Sequence, residues 1–173
     1  MNADTNLVLT VIGDDRPGLV GELSAAIAAH QGNWLESSMS RLAGKFAGIV
    51  RVAVPAAQAG ALQAALGKLA ALKVMAESSA EKSVAAGRRL KLALVGHDRI
   101  GIVREVSQVL AKHAVNVEKL ETHTASAPMS AEILFHCEAD LAAAPDIDTR
   151  ALKAELEKLS DDLMVDIMLG ETL

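Results

Sequence analysis

The fold is decided by a repeat: residues 9–33 read LTVIGDDRPGLVGELSAAIAAHQGN, and residues 92–116 read LALVGHDRIGIVREVSQVLAKHAVN. When the two stretches are aligned without gaps, 11 of the 25 positions are identical. Self-similarity of this density indicates two copies of one structural unit. We place the first copy at residues 1–79, a linker at 80–88 and the second copy at 89–173.

Each copy shows the same order of hydrophobic patterns: a strand, a helix, two strands around a turn, a second helix and a last strand. The predicted strands are 7–13, 34–42, 48–54 and 73–78, and then 90–96, 117–124, 130–137 and 164–169. The residues that we expect to be buried are Leu9, Val11, Val20, Leu23, Ile27, Leu92, Leu94, Val103, Val106 and Leu110. The βαββαβ order predicts an α+β protein with two ferredoxin-like domains, each an antiparallel sheet with helices on one face.

The outward positions of the two first strands carry no charge. They are Val8, Thr10, Ile12, Ala93 and Val95. Exposed strands of this kind are normally paired or covered. We therefore expect the copies to pack against each other or against another chain, which allows a homodimer.

Composition narrows the function classes. Lys and Arg number 17 against 22 Asp and Glu, a net charge of −5, and the chain has three aromatic residues. Both features argue against direct binding of nucleic acid. The single cysteine excludes an internal disulfide. No secretory signal or membrane span is visible, so we expect a cytoplasmic protein without membrane contact.

The turn between the first strand and the first helix suggests a binding chemistry. It reads GDDRPGLV at residues 13–20 and GHDRIGIV at residues 96–103. Free N–H groups at a helix start, together with the helix dipole, attract a carboxylate. Gly18 and Gly101 lack a side chain, so a ligand can approach the backbone closely.

This turn, followed by a helix and then by Asn33 or Asn116 opening the next strand, resembles the ACT domain. ACT domains are βαββαβ modules that bind amino acids and regulate enzymes or transcription. The tandem arrangement is similar to the glycine cleavage system transcriptional repressor family. The resemblance implies a non-enzymatic regulator without a cofactor. It further implies glycine as the signal, with serine next, and a partner transcription factor through which repression is indirect.

The resemblance also implies a ligand site where the loop meets the asparagine, at an interface between ACT units. The loop amides would hold the ligand carboxylate, and the loop aspartates would offset its ammonium group. The candidate ligand-binding residues are Asp14, Asp15, Arg16, Pro17, Gly18, Leu19 and Asn33, with Asp98, Gly101, Ile102 and Asn116 in the second copy. We expect the first copy to bind better, because Pro17 orders its loop and Asp14 adds an acidic group.

Simpler interpretations stay open for several of these residues. Asp15 and Asp98 can instead cap the following helix. Arg16 and Arg99 can pair with Glu22 and Glu105 or contact a partner, and the glycines can serve the turn alone. His123 and His136 can be neighbours across a hairpin, with Cys137 and Glu121 nearby, where a solvated strand surface is favoured over a metal site.

Two other functions remain open for the whole chain. It can be a free-standing regulatory subunit that gives feedback control to an amino-acid biosynthetic enzyme. It can also be a structural adaptor whose sites no longer bind a ligand. No spacing of residues in the sequence supports a catalytic site.

Overall fold

The computed structural model describes residues 4–79, 87–128 and 131–169. The chain divides into two compact units, residues 1–83 (unit 1) and 84–173 (unit 2). Most of the predicted linker lies outside the described residues. Each unit has the βαββαβ order and an antiparallel four-stranded sheet, which confirms the predicted fold class.

Unit 1 begins with a long strand whose alternate residues point into the core. Its elements are β1 (Asp4–Asp14), α1 (Leu19–Ala29), β2 (Asn33–Leu42), β3 (Lys45–Pro55), α2 (Ala56–Leu66) and β4 (Leu72–Ser78). The strand order is β2-β3-β1-β4. Leu7, Leu9 and Val11 are buried under the helices, whereas Thr10 and Ile12, which alternate with them, are exposed on the other face. This alternation is the period of two expected for a sheet covered on one side.

Unit 2 repeats the topology. Its elements are β5 (Arg88–His97), α3 (Ile102–Lys112), β6 (Asn116–Ser126), β7 (Ile133–Ala143), α4 (Thr149–Glu157) and β8 (Met164–Leu169), with the strand order β6-β7-β5-β8. Asp148 caps α4, because its carboxylate accepts hydrogen bonds from the backbone N–H groups of Arg150 and Ala151 at 3.0 Å.

The predicted core is correct except at one repeated position. Eight of the ten residues expected to be buried are buried, but Val20 and Val103 are 47% and 46% exposed. Leu19 and Ile102 take their place in the core. Adjacent residues on a helix point about 100° apart, so only one of each pair can face the sheet.

The third strand of each unit departs from its predicted bounds. β3 starts three residues early because β2 and β3 are joined by a two-residue turn, Ala43 and Gly44, with φ of 49° and 77°. Two positive φ values are typical of the type I′ hairpin, whose twist matches that of the strands. β7 extends to Ala143, past its predicted end at residue 137. The sequence did not show this extension, because the inward positions there include alanines, which weaken the hydrophobic alternation.

Among the described residues, none of the helices is long and apolar enough to cross a bilayer.

Candidate functional site

The start of α1 presents unused hydrogen-bond donors. Gly18 is the N-cap residue, with φ of 93°, and no side chain caps the helix. The first intrahelical bond runs from the N–H of Glu22 to the Gly18 carbonyl at 2.9 Å. The N–H groups of the three residues between them have no acceptor in the described part of unit 1. Three donors therefore point outward at the positive end of the helix dipole.

A surface hollow lies at this helix end. Its volume is about 380 Å³, including the solvent at its mouth. The hollow is lined by Asp15, Arg16, Gly18, Leu19, Val20, Gly21 and Phe46. Four of these seven residues, Asp15, Arg16, Gly18 and Leu19, are among the residues predicted for the site.

The charged groups of the loop are held in ion pairs. Asp15 binds Arg41, with 2.6 Å between Oδ2 and Nε, and Arg16 binds Glu22 at 2.6 Å. Asp14 is exposed and pairs with Lys45, whose hydrogen bond lowers the pKa of the Asp14 carboxyl below its usual value. The predicted pairing of Arg16 is confirmed.

The capping alternative for the aspartates is wrong. Neither α1 nor α3 receives a hydrogen bond from a side chain at its N-terminus, because a glycine occupies each N-cap position. In unit 2, Gly101 has φ of 92°, close to that of Gly18. Only a residue without a Cβ adopts such a φ at low cost, so both glycines are required by the turn itself.

The unit 2 loop differs in its donors. The N–H of Ile102 donates to the Arg99 carbonyl at 3.4 Å, whereas the matching N–H of Leu19 has no acceptor in the described part of unit 1. Arg99 also pairs with Glu105 at 2.5 Å, as predicted, and this pair lowers the pKa of the Glu105 carboxyl. Asp98 is fixed through its backbone N–H, which donates to Ile133 O at 2.9 Å.

Asn33 does not meet the loop of its own unit. It lies opposite Ala53 on β3, whereas Gly13, which precedes the loop, lies opposite Phe46. Seven residues of strand separate these two levels, a distance of about 23 Å. Asn116 has the same relation to the loop of unit 2, since it pairs with Ala142 and Gly96 pairs with Phe135.

Three lining residues were not predicted: Val20, Gly21 and Phe46. Val20 was assigned to the core, and Phe46 comes from a distant strand, so no local pattern marks it. Gly21 could have been noticed from the sequence, because the second copy of the repeat has Arg104 at the same position. A Cβ added to Gly21 would meet nothing within 4 Å, so this glycine leaves the hollow open.

The histidine pair forms a surface contact. His123 and His136 lie directly opposite each other on β6 and β7, and their rings stack with centroids 4.7 Å apart. Cys137 faces the core instead. Within residues 4–79, 87–128 and 131–169, no three His, Cys, Asp or Glu side chains are grouped closely enough to hold a metal ion. The arrangement favours the solvated-surface interpretation.

Comparison with known families accounts for both units. The ACT domain model matches residues 5–76 and again residues 89–170. The chain belongs to the ACT domain family. ACT units are regulatory modules that bind small amino acids, and the tandem arrangement agrees with the repeat in the sequence.

Individual proteins are similar to one unit or to the whole chain. UPF0237 protein MK1213 of Methanopyrus kandleri is 34% identical over 80 residues, which cover 46% of this chain and 83% of that protein. A crystal structure of an unknown protein from Galdieria sulphuraria is 28% identical, with a TM-score of 0.82, and covers 98% of this chain and 100% of that one. A candidate glycine cleavage system transcriptional repressor shares the fold, with a TM-score of 0.68 and 16% identity over 96% of this chain and 99% of its own.

Proposed function

We propose that the chain is a non-catalytic amino-acid sensor that binds a free small amino acid in the hollow at the start of α1. The observation that carries this proposal is the set of three N–H donors open to that hollow. A carboxylate placed there would accept hydrogen bonds from the backbone and gain from the helix dipole. Such a site recognises the part of an amino acid that all amino acids share.

The rest of the hollow suits the remainder of a small ligand. Asp15 lines it and offers carboxylate oxygens to the ligand ammonium group. Val20 and Phe46 provide apolar walls that leave little for a long polar side chain to bind. Glycine is the favoured ligand through the family resemblance, and serine is the next candidate.

Asn33 can contact a ligand in the unit 1 hollow only if it comes from another copy of the chain. Because it lies about 23 Å from the loop of its own unit, its amide reaches a ligand in that loop only from another copy. A homodimer that shares the site in this way would couple ligand binding to assembly.

The output of the sensor is control of transcription through a protein partner. We propose repression of glycine cleavage genes, because both the tandem arrangement and the fold resemble that repressor family. A net charge of −5 gives the chain no net positive field to attract phosphates, so we propose that the effect passes through a transcription factor.

The ligand site is tested with Gly21→Glu. This position is exposed, helical and surrounded by open space, so the variant should fold and its helix should gain stability. The new carboxylate lies among the three donors and competes with the ligand for them. Gly60→Glu is the matched control, since Gly60 is an exposed glycine of α2 with equally open surroundings.

Isothermal titration of glycine, serine and alanine gives the result. We expect wild type and Gly60→Glu to bind alike and Gly21→Glu to bind roughly tenfold more weakly or not at all. Absence of binding by wild type at millimolar concentrations rejects the sensor and favours the adaptor. Equal binding by all three proteins rejects the hollow as the site.

The partner class is tested by capture from a lysate of the source cells with and without glycine. Recovery of a transcription factor whose yield depends on glycine supports the repressor role. Recovery of an amino-acid biosynthetic enzyme supports the alternative, a free-standing regulatory subunit.

A further inference from the structure

The loop of unit 2 is tied to the turn that precedes β8. The backbone N–H of His97 donates to Asp162 Oδ2 at 2.6 Å, and the His97 ring nitrogen Nδ1 lies 2.7 Å from the same oxygen. The Ser160 hydroxyl donates to the other carboxylate oxygen. These hydrogen bonds, from Ser160 first and then from the His97 backbone, lower the pKa of Asp162 to about 2.

The other side of the His97 ring is also occupied. Its Nε2 atom lies 3.0 Å from Glu132 Oε2. A ring whose two nitrogens both face carboxylates donates from both only when it carries two protons. The hydrogen bond and charge of Glu132, and then Asp162, raise the pKa of His97 in agreement with this geometry.

Arg99 adds a second tie to the same turn. Its guanidinium donates to the Leu159 carbonyl at 3.3 Å while it pairs with Glu105. We call the contacts of His97 with Asp162 and of Arg99 with Leu159 the strap. Together they hold residues 97–99 against residues 159–162.

The described residues of unit 1, 4–79, contain no counterpart of the strap. A Cβ on Gly13 would meet Ala71, whereas one on Gly96 would meet Asp162 and Leu163, so Ala71 stands where unit 2 has Asp162. Position 14 is an aspartate paired with Lys45. Within the described part of unit 1, no hydrogen bond or ion pair joins residues 14–18 to residues 67–71.

Three differences therefore separate the two loops. Unit 2 holds its loop with an internal carboxylate, uses the N–H of Ile102 internally, and has Arg104 where Gly21 leaves the unit 1 hollow open. The bond of the Ile102 N–H takes up one of the three donors found in unit 1, and Arg104 stands where Gly21 leaves space. The tie to Asp162 fixes the backbone of the loop that precedes the helix.

We propose that unit 2 is a self-closed copy of the site, held shut by the strap, and that each chain binds one amino acid, in unit 1. The inference rests on the proposed function, which it deepens by assigning different roles to the two units. Unit 1 senses the ligand, and unit 2 provides a fixed loop that does not respond to it.

The strap is tested without any ligand by amide hydrogen exchange at His97. We expect Asp162→Ala to speed exchange of this amide roughly tenfold, because it removes the acceptor. Asp161→Ala removes the neighbouring exposed carboxylate and serves as the control. Unchanged exchange in Asp162→Ala overturns the strap.

The number of sites is tested by titration with glycine and then serine. Wild type should bind one molecule per chain, and two would overturn the inference. If wild type binds neither amino acid, the proposed function and the predicted one site per chain are both overturned. The strap is then tested only by amide hydrogen exchange at His97.

Opening the second site completes the test. In a Gly21→Glu background unit 1 is blocked, so the added changes Asp162→Ala and Arg104→Gly should restore one binding event per chain. Asp161→Ala in the same background should restore none. If the opened variant still binds nothing although wild type binds one ligand, the strap and Arg104 are not what closes unit 2, and the inference fails.

Discussion

At the scale of single residues, Leu23 and Val20 lie about one turn apart on α1 in opposite environments. Leu23 is fully buried, and Val20 is 47% exposed. We expect Leu23→Ala to lower the free energy of unfolding by about 2–5 kcal/mol, because it leaves a cavity. Val20→Ala should change it by less than about 0.5 kcal/mol. Urea unfolding of both variants measures the difference, and equal losses would contradict the core assignment.

The His97 cluster predicts a pH dependence of unit 2. The pKa of His97 is raised above 6.5, first by Glu132 and then by Asp162, so the folded state favours the protonated ring. The protonated ring therefore stabilises the folded state fully below pH 6.5, and this stabilisation is lost as pH rises through the raised pKa of His97. Asp162, with a pKa of about 2 against an ordinary 3.8, stabilises above 3.8 and loses this effect as pH falls through 2.

Thermal unfolding of wild type and His97→Gln tests this dependence. The deficit in Tm of the variant should be larger at about pH 5 than at about pH 9, because the stabilisation by the protonated ring is lost as pH rises through the raised pKa of His97. A deficit that stays constant between these two values would mean that the charge of His97 does not matter to the fold.

The positions of residues around the hollow were predictable where they depend on local sequence. The D-R-x-G turn led to Asp15, Arg16 and Gly18, all of which line the hollow. Phe46 was not predictable, because it reaches the site through the pairing of β1 with β3, which no local pattern encodes. The separation of Asn33 from the loop likewise follows from register, since β2 starts at the opposite end of the sheet.

At the scale of elements, the β2–β3 hairpin contains an unfavourable turn residue. Ala43 has φ of 49°, and Gly44 follows with φ of 77°. An alanine pays a steric cost there, whereas asparagine is preferred at the first position of a type I′ turn. We expect Ala43→Asn to stabilise the chain by up to about 1 kcal/mol.

The control for this substitution lies at the other turn position. Gly44→Ala should destabilise the chain. The added methyl group has open space, but the positive φ at this position is unfavourable for alanine. Chemical unfolding of the two variants should therefore give changes of opposite sign. A loss of stability in Ala43→Asn would show that this hairpin is not a type I′ turn in solution.

Element order was predictable from hydrophobic period alone, and element ends were less so. The predicted strands left residues 43–47 between them, but the type I′ turn needs only Ala43 and Gly44. β7 extends to Ala143 because strand pairing with β5 continues through small residues. Pairing partners, rather than the strand's own sequence, decide where such strands stop.

At the scale of the whole molecule, the two copies share a topology but not a loop chemistry. The glycines that set the turn are identical in both, whereas His97, Arg104 and Asp162 occur in unit 2 alone. The common residues are those that the backbone conformation requires. Among the differing positions, the one held by Arg104 matches Gly21, which lines the unit 1 hollow, whereas His97 and Asp162 fix the loop of unit 2.

The charge of the whole chain predicts its behaviour toward DNA. With 17 basic and 22 acidic residues, the isolated protein has no excess of cations to displace counterions from phosphates. We expect no gel shift at sub-micromolar protein in salt of about 150 mM, with or without glycine. A shift that appears only when the captured transcription factor is added, and that changes with glycine, is the outcome an indirect repressor requires. Tight DNA binding by the isolated chain would instead mean that its basic residues are gathered on one surface. A partner protein would then not be needed for DNA binding.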